Sequence, residues 1–269
     1  MPRTIVITGA SAGIGAALAR HLGRQGHQLV LAARRKPELE RVAAECGTAT
    51  EVVVADVRRR ADVERLRDAA LRRFGHVDVW VNNAGRGITR AVLDLSDDDV
   101  DEMMAVNVKS ALYGMQAIVP HFKERGVGHL INVSSFLGRV PFVAFRSAYN
   151  GAKHALNALT ANLRMDLRSA HPGIHVSLVM PGVVRTGFAA NALGAPATHG
   201  AGGAGGAGGG PPGQTAEEVA VVIADVIEHP VAEVYTDPAS AETARRYYQD
   251  VGAFEAQPSA GSHRAGGPS

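Results

Sequence analysis

Tyr149 and Lys153 stand four residues apart in Tyr149-Asn150-Gly151-Ala152-Lys153, a spacing that puts both side chains on one face of a helix. A free phenol titrates near pH 10, and a neighbouring ammonium lowers that value by favouring the phenolate, so the pair is a candidate general acid/base. Upstream, Ser135 opens Ser135-Phe136-Leu137-Gly138 at the end of an apolar run. A hydroxyl there can donate to a carbonyl oxygen as negative charge develops on it. Taken alone, a Tyr-x-x-x-Lys spacing arises often by chance, and a half-buried tyrosine beside a surface lysine accounts for it equally well.

A second cluster changes the balance. The first apolar run ends in Thr8-Gly9-Ala10-Ser11-Ala12-Gly13-Ile14-Gly15, and a helical pattern carrying Leu18 and Leu22 follows. Glycines let the backbone turn tightly and bring helix N-terminal amides onto a pyrophosphate, whose charge the helix dipole favours. The spacing Gly-x-x-x-Gly-x-Gly differs from the Gly-x-Gly-x-x-Gly dinucleotide fingerprint, and a plain strand-to-helix turn is the alternative. About twenty residues on, Ala33-Arg34-Arg35-Lys36 lacks the acid that would take an NAD ribose hydroxyl. Arg34 and Arg35 can instead clamp a 2′-phosphate, which points to NADP(H); a solvated basic turn is the bland reading. A bound cationic nicotinamide would then add to Lys153 in lowering the Tyr149 pKa.

Seven short apolar runs are read as strands: 4–8, 28–33, 51–55, 77–81, 129–133, 175–179 and 233–236. Most are apolar throughout, as strands covered on both faces are. Helical patterns fill the intervals, including long ones at 97–123 and 148–169. The expected architecture is therefore α/β: a Rossmann-type, doubly wound parallel sheet in a single domain spanning 1–250. Thr215-Ala216-Glu217-Glu218 reads as a capping signal for a further helix. An Ala/Gly-rich stretch makes 188–213 a flexible segment, and 251–269 is expected to be a disordered tail.

Composition narrows the classes. With 46% hydrophobic and 20% charged residues the chain reads as an ordinary globular protein, and 28 Lys and Arg against 26 Asp and Glu argue against a nucleic-acid binder. The lone cysteine, Cys46, rules out a multi-cysteine zinc site or an internal disulfide, and no metal site is expected. The first residues lack a signal-peptide pattern, and no run is long enough to span a membrane, so the expectation is a cytoplasmic protein.

With Asn82-Asn83-Ala84-Gly85 after the fourth strand, Asn107 in the following helix and Pro181-Gly182-Val183-Val184-Arg185-Thr186 after the sixth, the chain resembles the short-chain dehydrogenase/reductase family, and the match runs from about Thr4 to Thr236. The resemblance implies Tyr149 as general acid/base, Lys153 on the nicotinamide ribose, Ser135 polarising the carbonyl and Asn107 supporting a proton relay. It implies a pyrophosphate loop of Gly9, Ser11, Gly13, Ile14 and Gly15. Asp56 and Val57 match the adenine contacts; Asn83, Ala84 and Gly85 match the wall beside the adenosine ribose. Pro181, Gly182 and Thr186 match the nicotinamide-side motif. Relatives assemble through the two long helices, which implies a homodimer or homotetramer. Three departures stand out: Ser135 and Tyr149 are fourteen residues apart where thirteen is usual, leaving Ser134 as a rival; Ala12 replaces a frequent Lys or Arg of NADP-preferring members; and an Ala/Gly tract occupies the variable lid.

The expected activity is NADP(H)-dependent interconversion of a carbonyl and an alcohol. Leu137, Val140, Phe142, Val143 and Phe145 are candidates for an apolar substrate wall. An NAD(H)-dependent alcohol dehydrogenase and a non-catalytic NADP(H) sensor are the alternatives.

Overall fold

In the computed structural model, which describes residues 2–194 and 213–257, strands form where β-branched and apolar residues run without interruption. β1 (Thr4–Thr8) leads into α1 (Gly13–Arg24), β2 (Gln28–Ala33) into α2 (Lys36–Cys46), and β3 (Thr50–Val54) into α3 (Arg60–Phe74). After β4 (Val79–Asn82) come α4 (Asp97–Met104), a π-helical turn (Ala105–Lys109) and α5 (Ser110–Arg125). β5 (Gly128–Val133), α6 (Ser147–Arg168) and β6 (Ile174–Met180) follow. The last elements are β7 (Val184–Arg185), β8 (Gln214–Thr215), α7 (Ala216–Glu228), β9 (Glu233–Tyr235), α8 (Ala239–Gln249) and α9 (Val251–Glu255).

Seven strands make one parallel sheet in the order β3-β2-β1-β4-β5-β6-β9, and β7 pairs separately with β8. Alternate residues of each strand serve opposite cores. Ile5, Ile7, Leu29, Leu31 and Val81 pack on α1, α2 and α7. Val6, Val30, Trp80 and Leu130 pack on α3, α5 and α6. Because both faces are covered, these strands are apolar throughout and need no alternation. The strand order reverses between β1 and β4, so the chain ends leaving those strands diverge and open a crevice at their carboxyl edge.

The strand readings hold to within two residues at each boundary. The reading of one regular helix over 97–123 needs correction, since a π turn interrupts it at Asn107. The tail also starts later than 251: the Asp250 carboxylate accepts from Ala253 N at 2.9 Å to cap α9, and Phe254 stands edge-on to Tyr247 at 5.4 Å. Of the expected flexible segment at 188–213, residues 188–194 are held in place, with Leu193 N donating to Gly87 O (2.9 Å) and Thr89 N to Leu193 O (2.8 Å). Residues 195–212 and 258–269 lie outside the described residues. No described helix is long and apolar enough to cross a membrane.

Candidate active site

At the crevice the backbone is shaped by glycine. Gly9 takes φ +69°, and a Cβ there would sit 2.8 Å from Ala84 Cα. A Cβ on Gly15 would meet Gly9 O at 2.5 Å and Asn83 Nδ2 at 2.6 Å. The first loop and the Asn83 segment are thus pressed together with no room for side chains. Thr8 clamps them: its Oγ1 accepts from Asn83 N (3.0 Å) and Ala84 N (3.1 Å), while Asn83 Nδ2 donates to Thr8 O (2.9 Å). The N-terminus of α1 has no side-chain cap and no acid in its first turn, so its amides and dipole face the crevice uncompensated. Across it, Gly13 leaves Thr186 Cγ2 3.5 Å from where its own Cβ would stand. These features fit a bound pyrophosphate.

The two arginines after β2 differ. Arg35 is engaged, reaching Ser11 Oγ at 3.3 Å and Glu38 at 3.3 Å. Arg34 is exposed and makes no ion pair among the described residues, which leaves its fork available to an incoming anion. Asp56 is not free. Arg58 holds both its oxygens, Nε on Oδ1 at 3.0 Å and Nη2 on Oδ2 at 2.6 Å, and reaches on to Glu102 at 2.9 Å. These bonds hold the Asp56 carboxyl below its usual range. Val57 beside it is buried.

Deeper in the crevice four polar side chains converge. Tyr149 and Lys153, on the first turns of α6, are both buried. Lys153 Nζ donates to Val133 O at 3.0 Å and lies 5.7 Å from the Tyr149 ring centre. A Cβ on Gly85 would fall 3.7 Å from that Nζ and 3.0 Å from Asn107 Oδ1, so glycine keeps this corner open. Asn107 sits in the π turn with its amide fully used: Nδ2 donates to Arg86 O (2.9 Å) and Met103 O (3.1 Å), and Oδ1 accepts from Arg86 N (3.2 Å). The extra residue of a π turn re-aims side chains at functional sites, and here it turns Asn107 onto the chain after β4.

The two rival serines differ in the bonds they make. Ser134 Oγ donates to Asn157 Oδ1 at 2.5 Å, and Asn157 Nδ2 donates to Gly138 O at 2.7 Å, so Ser134 is spent on anchoring its own loop to α6. Ser135 lies close enough to Tyr149 to pull its pKa downward, and its Oγ accepts from Leu137 N at 3.2 Å. Phe136 N, next in line, donates to Pro181 O at 2.7 Å, which ties this loop to the segment carrying Gly182 and Thr186.

Protonation differs from the sequence reading. Burial pushes the Tyr149 phenol up to about 12, against the opposing pull of Ser135 and Arg146. Burial also pushes Lys153 down to about 7. The ammonium that was to lower the phenol is itself disfavoured by desolvation, so in the protein alone Tyr149 holds its proton firmly.

The apolar wall differs too. Only Leu137 of the expected set packs with Tyr149, where Ile88, Met104, Phe188 and Leu193 join it. Val140 lies with Phe136 in a separate cluster, and Phe142 tilts against the Phe136 ring at 5.8 Å. Phe188 meets the Tyr149 ring edge-on at 5.6 Å. Sequence reasoning missed Ile88 and Phe188 because nothing in their spacing ties them to Tyr149. Arg146 was also missed, although it lies only three residues before Tyr149, at the N-cap of α6.

A family model for short chain dehydrogenases matches residues 3–195. An uncharacterized oxidoreductase of Staphylococcus epidermidis is 35% identical over 184 residues, which is 68% of this chain and 79% of the relative. Among solved structures, a short chain dehydrogenase/reductase from Burkholderia phymatum in complex with NAD superimposes with a TM-score of 0.82 at 27% identity, covering 98% of each chain. An alcohol dehydrogenase from the archaeon Thermococcus sibiricus, complexed with 5-hydroxy-NADP, gives 0.74 at 29% identity over 87% of this chain and 96% of its own. The family model covers more than half of the chain, and the chain belongs to the short-chain dehydrogenase/reductase family of oxidoreductases.

Proposed function

We propose that the protein interconverts a carbonyl compound and an alcohol with NADP(H), Tyr149 carrying the proton. The observation that supports this most is the meeting of a buried Tyr149 with Lys153 Nζ beside the open corner at Gly85. The nicotinamide, when bound, supplies or accepts the hydride. Ser135 donates to the substrate oxygen, and Tyr149 gives that oxygen its proton as the carbon is reduced. A phenol raised to about 12 stays protonated at neutral pH, so Tyr149 enters the reduction as the proton donor and takes the proton back in the oxidation. Lys153 holds the cofactor ribose. Asn107, its amide spent on Arg86, acts as a positioning residue for the chain after β4.

Gly9, Ser11, Gly13, Ile14 and Gly15 cradle the pyrophosphate; Asp56, Val57, Asn83, Ala84 and Gly85 line the adenosine end; Pro181, Gly182 and Thr186 face the nicotinamide. The preference for NADP(H) over NAD(H) rests on Arg34, exposed and unpaired among the described residues. Titrating nicotinamide fluorescence with NADPH and NADH tests it. NADPH should bind tighter by roughly 10- to 100-fold, the worth of a charge-assisted pair, and Arg34→Ala should abolish the difference. Equal binding of the two by the unaltered protein would turn the reading to an NAD(H)-dependent dehydrogenase. We expect a homo-oligomer through α5 and α6, where Met165 stands 64% exposed, to be checked by light scattering. The buried, unpaired Cys46 suits a reducing, cytoplasmic setting.

A further inference from the structure

Arginines at this end of the sheet are paired with acids. Arg58 binds Asp56 and Glu102, Arg86 binds Glu102, and Arg90 meets Asp99. Unlike the exposed Arg34, which is also outside these pairs, Arg146 lies beside Tyr149. It is half-buried and forms no ion pair with any described carboxylate. Its Nη1 donates to Ile88 O (3.1 Å) and Thr89 Oγ1 (3.3 Å), which fixes the guanidinium, while Nε and Nη2 make no hydrogen bond to the described residues. A desolvated cation without a counter-ion is costly, and burial weakens its hold on the proton.

Its position gives the vacancy a meaning. Arg146 is the N-cap of α6 and precedes Tyr149 by three residues, and the guanidinium lies near enough to the phenol for each to perturb the other's ionisation. From the point where Gly87 would carry a Cβ, Arg146 Nη1 is 2.9 Å away and Phe188 Cε1 is 2.8 Å away. Phe188 in turn stands edge-on to the Tyr149 ring. Phe188 therefore lies close to both the guanidinium and the phenol, and Ile88, Leu137 and Leu193 belong to the same apolar cluster as Tyr149.

We propose that Arg146 receives a carboxylate of the substrate, so that the enzyme acts on short oxo acids and the corresponding hydroxy acids, with the carboxylate within a few bonds of the reacting carbon. The planar fork matches a carboxylate, and a single guanidinium with apolar neighbours suits one negative charge better than a phosphate dianion. This inference rests on Tyr149 being the proton donor of the proposed reaction.

The test compares acetoacetate with its methyl ester as substrates, and measures 3-hydroxybutyrate binding by calorimetry, for the unaltered protein, Arg146→Lys and Arg146→Met. The acid should exceed the ester in kcat/KM by roughly 10- to 100-fold, one charge-assisted fork. Arg146→Met should erase that preference and the calorimetric signal, and Arg146→Lys, which keeps the charge and the loop contact, should retain part of both. Equal kcat/KM for acid and ester, or absence of 3-hydroxybutyrate binding to the unaltered protein, overturns the inference. So does an equal loss on both substrates with a shifted pH profile, because Arg146 would then act through Tyr149 alone. Binding that depends on Arg146 without turnover of either compound would leave the carboxylate site standing and sink the proposed reaction instead.

Discussion

The two sides of the crevice are built on different principles. The side formed by Gly9 to Gly15 and the Asn83 segment is made of backbone, fitted so closely that a Cβ on Gly15 would come within 2.5 Å of a carbonyl. The side around Tyr149 is made of side chains drawn from distant points: Ile88 after β4, Leu137 after β5, Phe188 and Leu193 after β6. A backbone surface recognises what any dinucleotide has, phosphate charge and close approach. A side-chain surface can change one residue at a time, and Arg146, half-buried without an ion pair, stands there beside Tyr149. Substitutions on the two sides should therefore fail in different ways.

The largest effect is expected from Tyr149→Phe. Losing the proton donor should lower kcat by roughly 10²- to 10⁴-fold, with NADPH affinity within a few-fold of the unaltered protein because the phenol is remote from the pyrophosphate loop. Fluorescence titration beside steady-state rates checks both halves. A parallel loss of affinity would mean that the two sides are not separable.

Gly15→Ala is the opposite case. Its methyl group must displace both Gly9 O and Asn83 Nδ2, an overpacking cost of about 1–3 kcal/mol. That cost should appear as weaker cofactor binding, roughly 5- to 150-fold, with kcat at saturating cofactor little changed. A variant that binds cofactor normally but turns over slowly would break the contrast.

This division also governs what the amino-acid order reveals. Gly9, Gly13 and Gly15 announce their loop because a close backbone approach demands one residue type at fixed intervals. Thr215 and Glu218 announce the start of α7 for the same local reason, and the capping box forms, with Glu218 N donating to Thr215 Oγ1 at 3.0 Å and Thr215 N to Glu218 Oε2 at 2.7 Å. Tyr149 and Lys153 are visible because they are neighbours on one helix. Phe188 is invisible, since its approach to Tyr149 depends on the path of a segment whose spacing carries no period. The upward shift of Tyr149 is invisible for another reason: spacing shows that Lys153 is near, but the extent of burial decides that desolvation outweighs it.

Lys153 offers a test of that last point through stability. Its folded pKa of about 7 lies below the ordinary lysine value, so between about pH 7 and pH 10 the unfolded chain binds more protons than the folded one. Stability should therefore rise with pH across this window and level off below it, where the amine is charged in both states. Tyr149, shifted upward, contributes in the opposite sense only above pH 10. The thermal midpoint should climb by a few degrees between pH 7 and 9, and Lys153→Met should flatten that climb. An unchanged slope in the variant would show that the amine stays charged and solvated, and would restore it as a cation able to lower the phenol.

The smallest effect sharpens the comparison by standing outside both sides. Thr215→Ala removes the cap of α7, which packs on α1 across the core that also holds β1. Loss of such a cap costs about 1 kcal/mol, or roughly 2–4 °C in the midpoint for a chain of this size. Because α1 is gripped by Ile5, Ile7 and Leu29 as well as by α7, the glycine loop should keep its shape, and neither NADPH affinity nor kcat should move beyond a few-fold. There is one route by which it could: Gln214, next to the cap, donates through Nε2 to Thr236 O at 2.9 Å, and β8 pairs with β7 just before Thr186. If weaker cofactor binding accompanied the stability loss, the cap would be acting through that strand pair on Thr186, and the nicotinamide end of the crevice would belong to neither the backbone side nor the side-chain side but to the chain returning from β6.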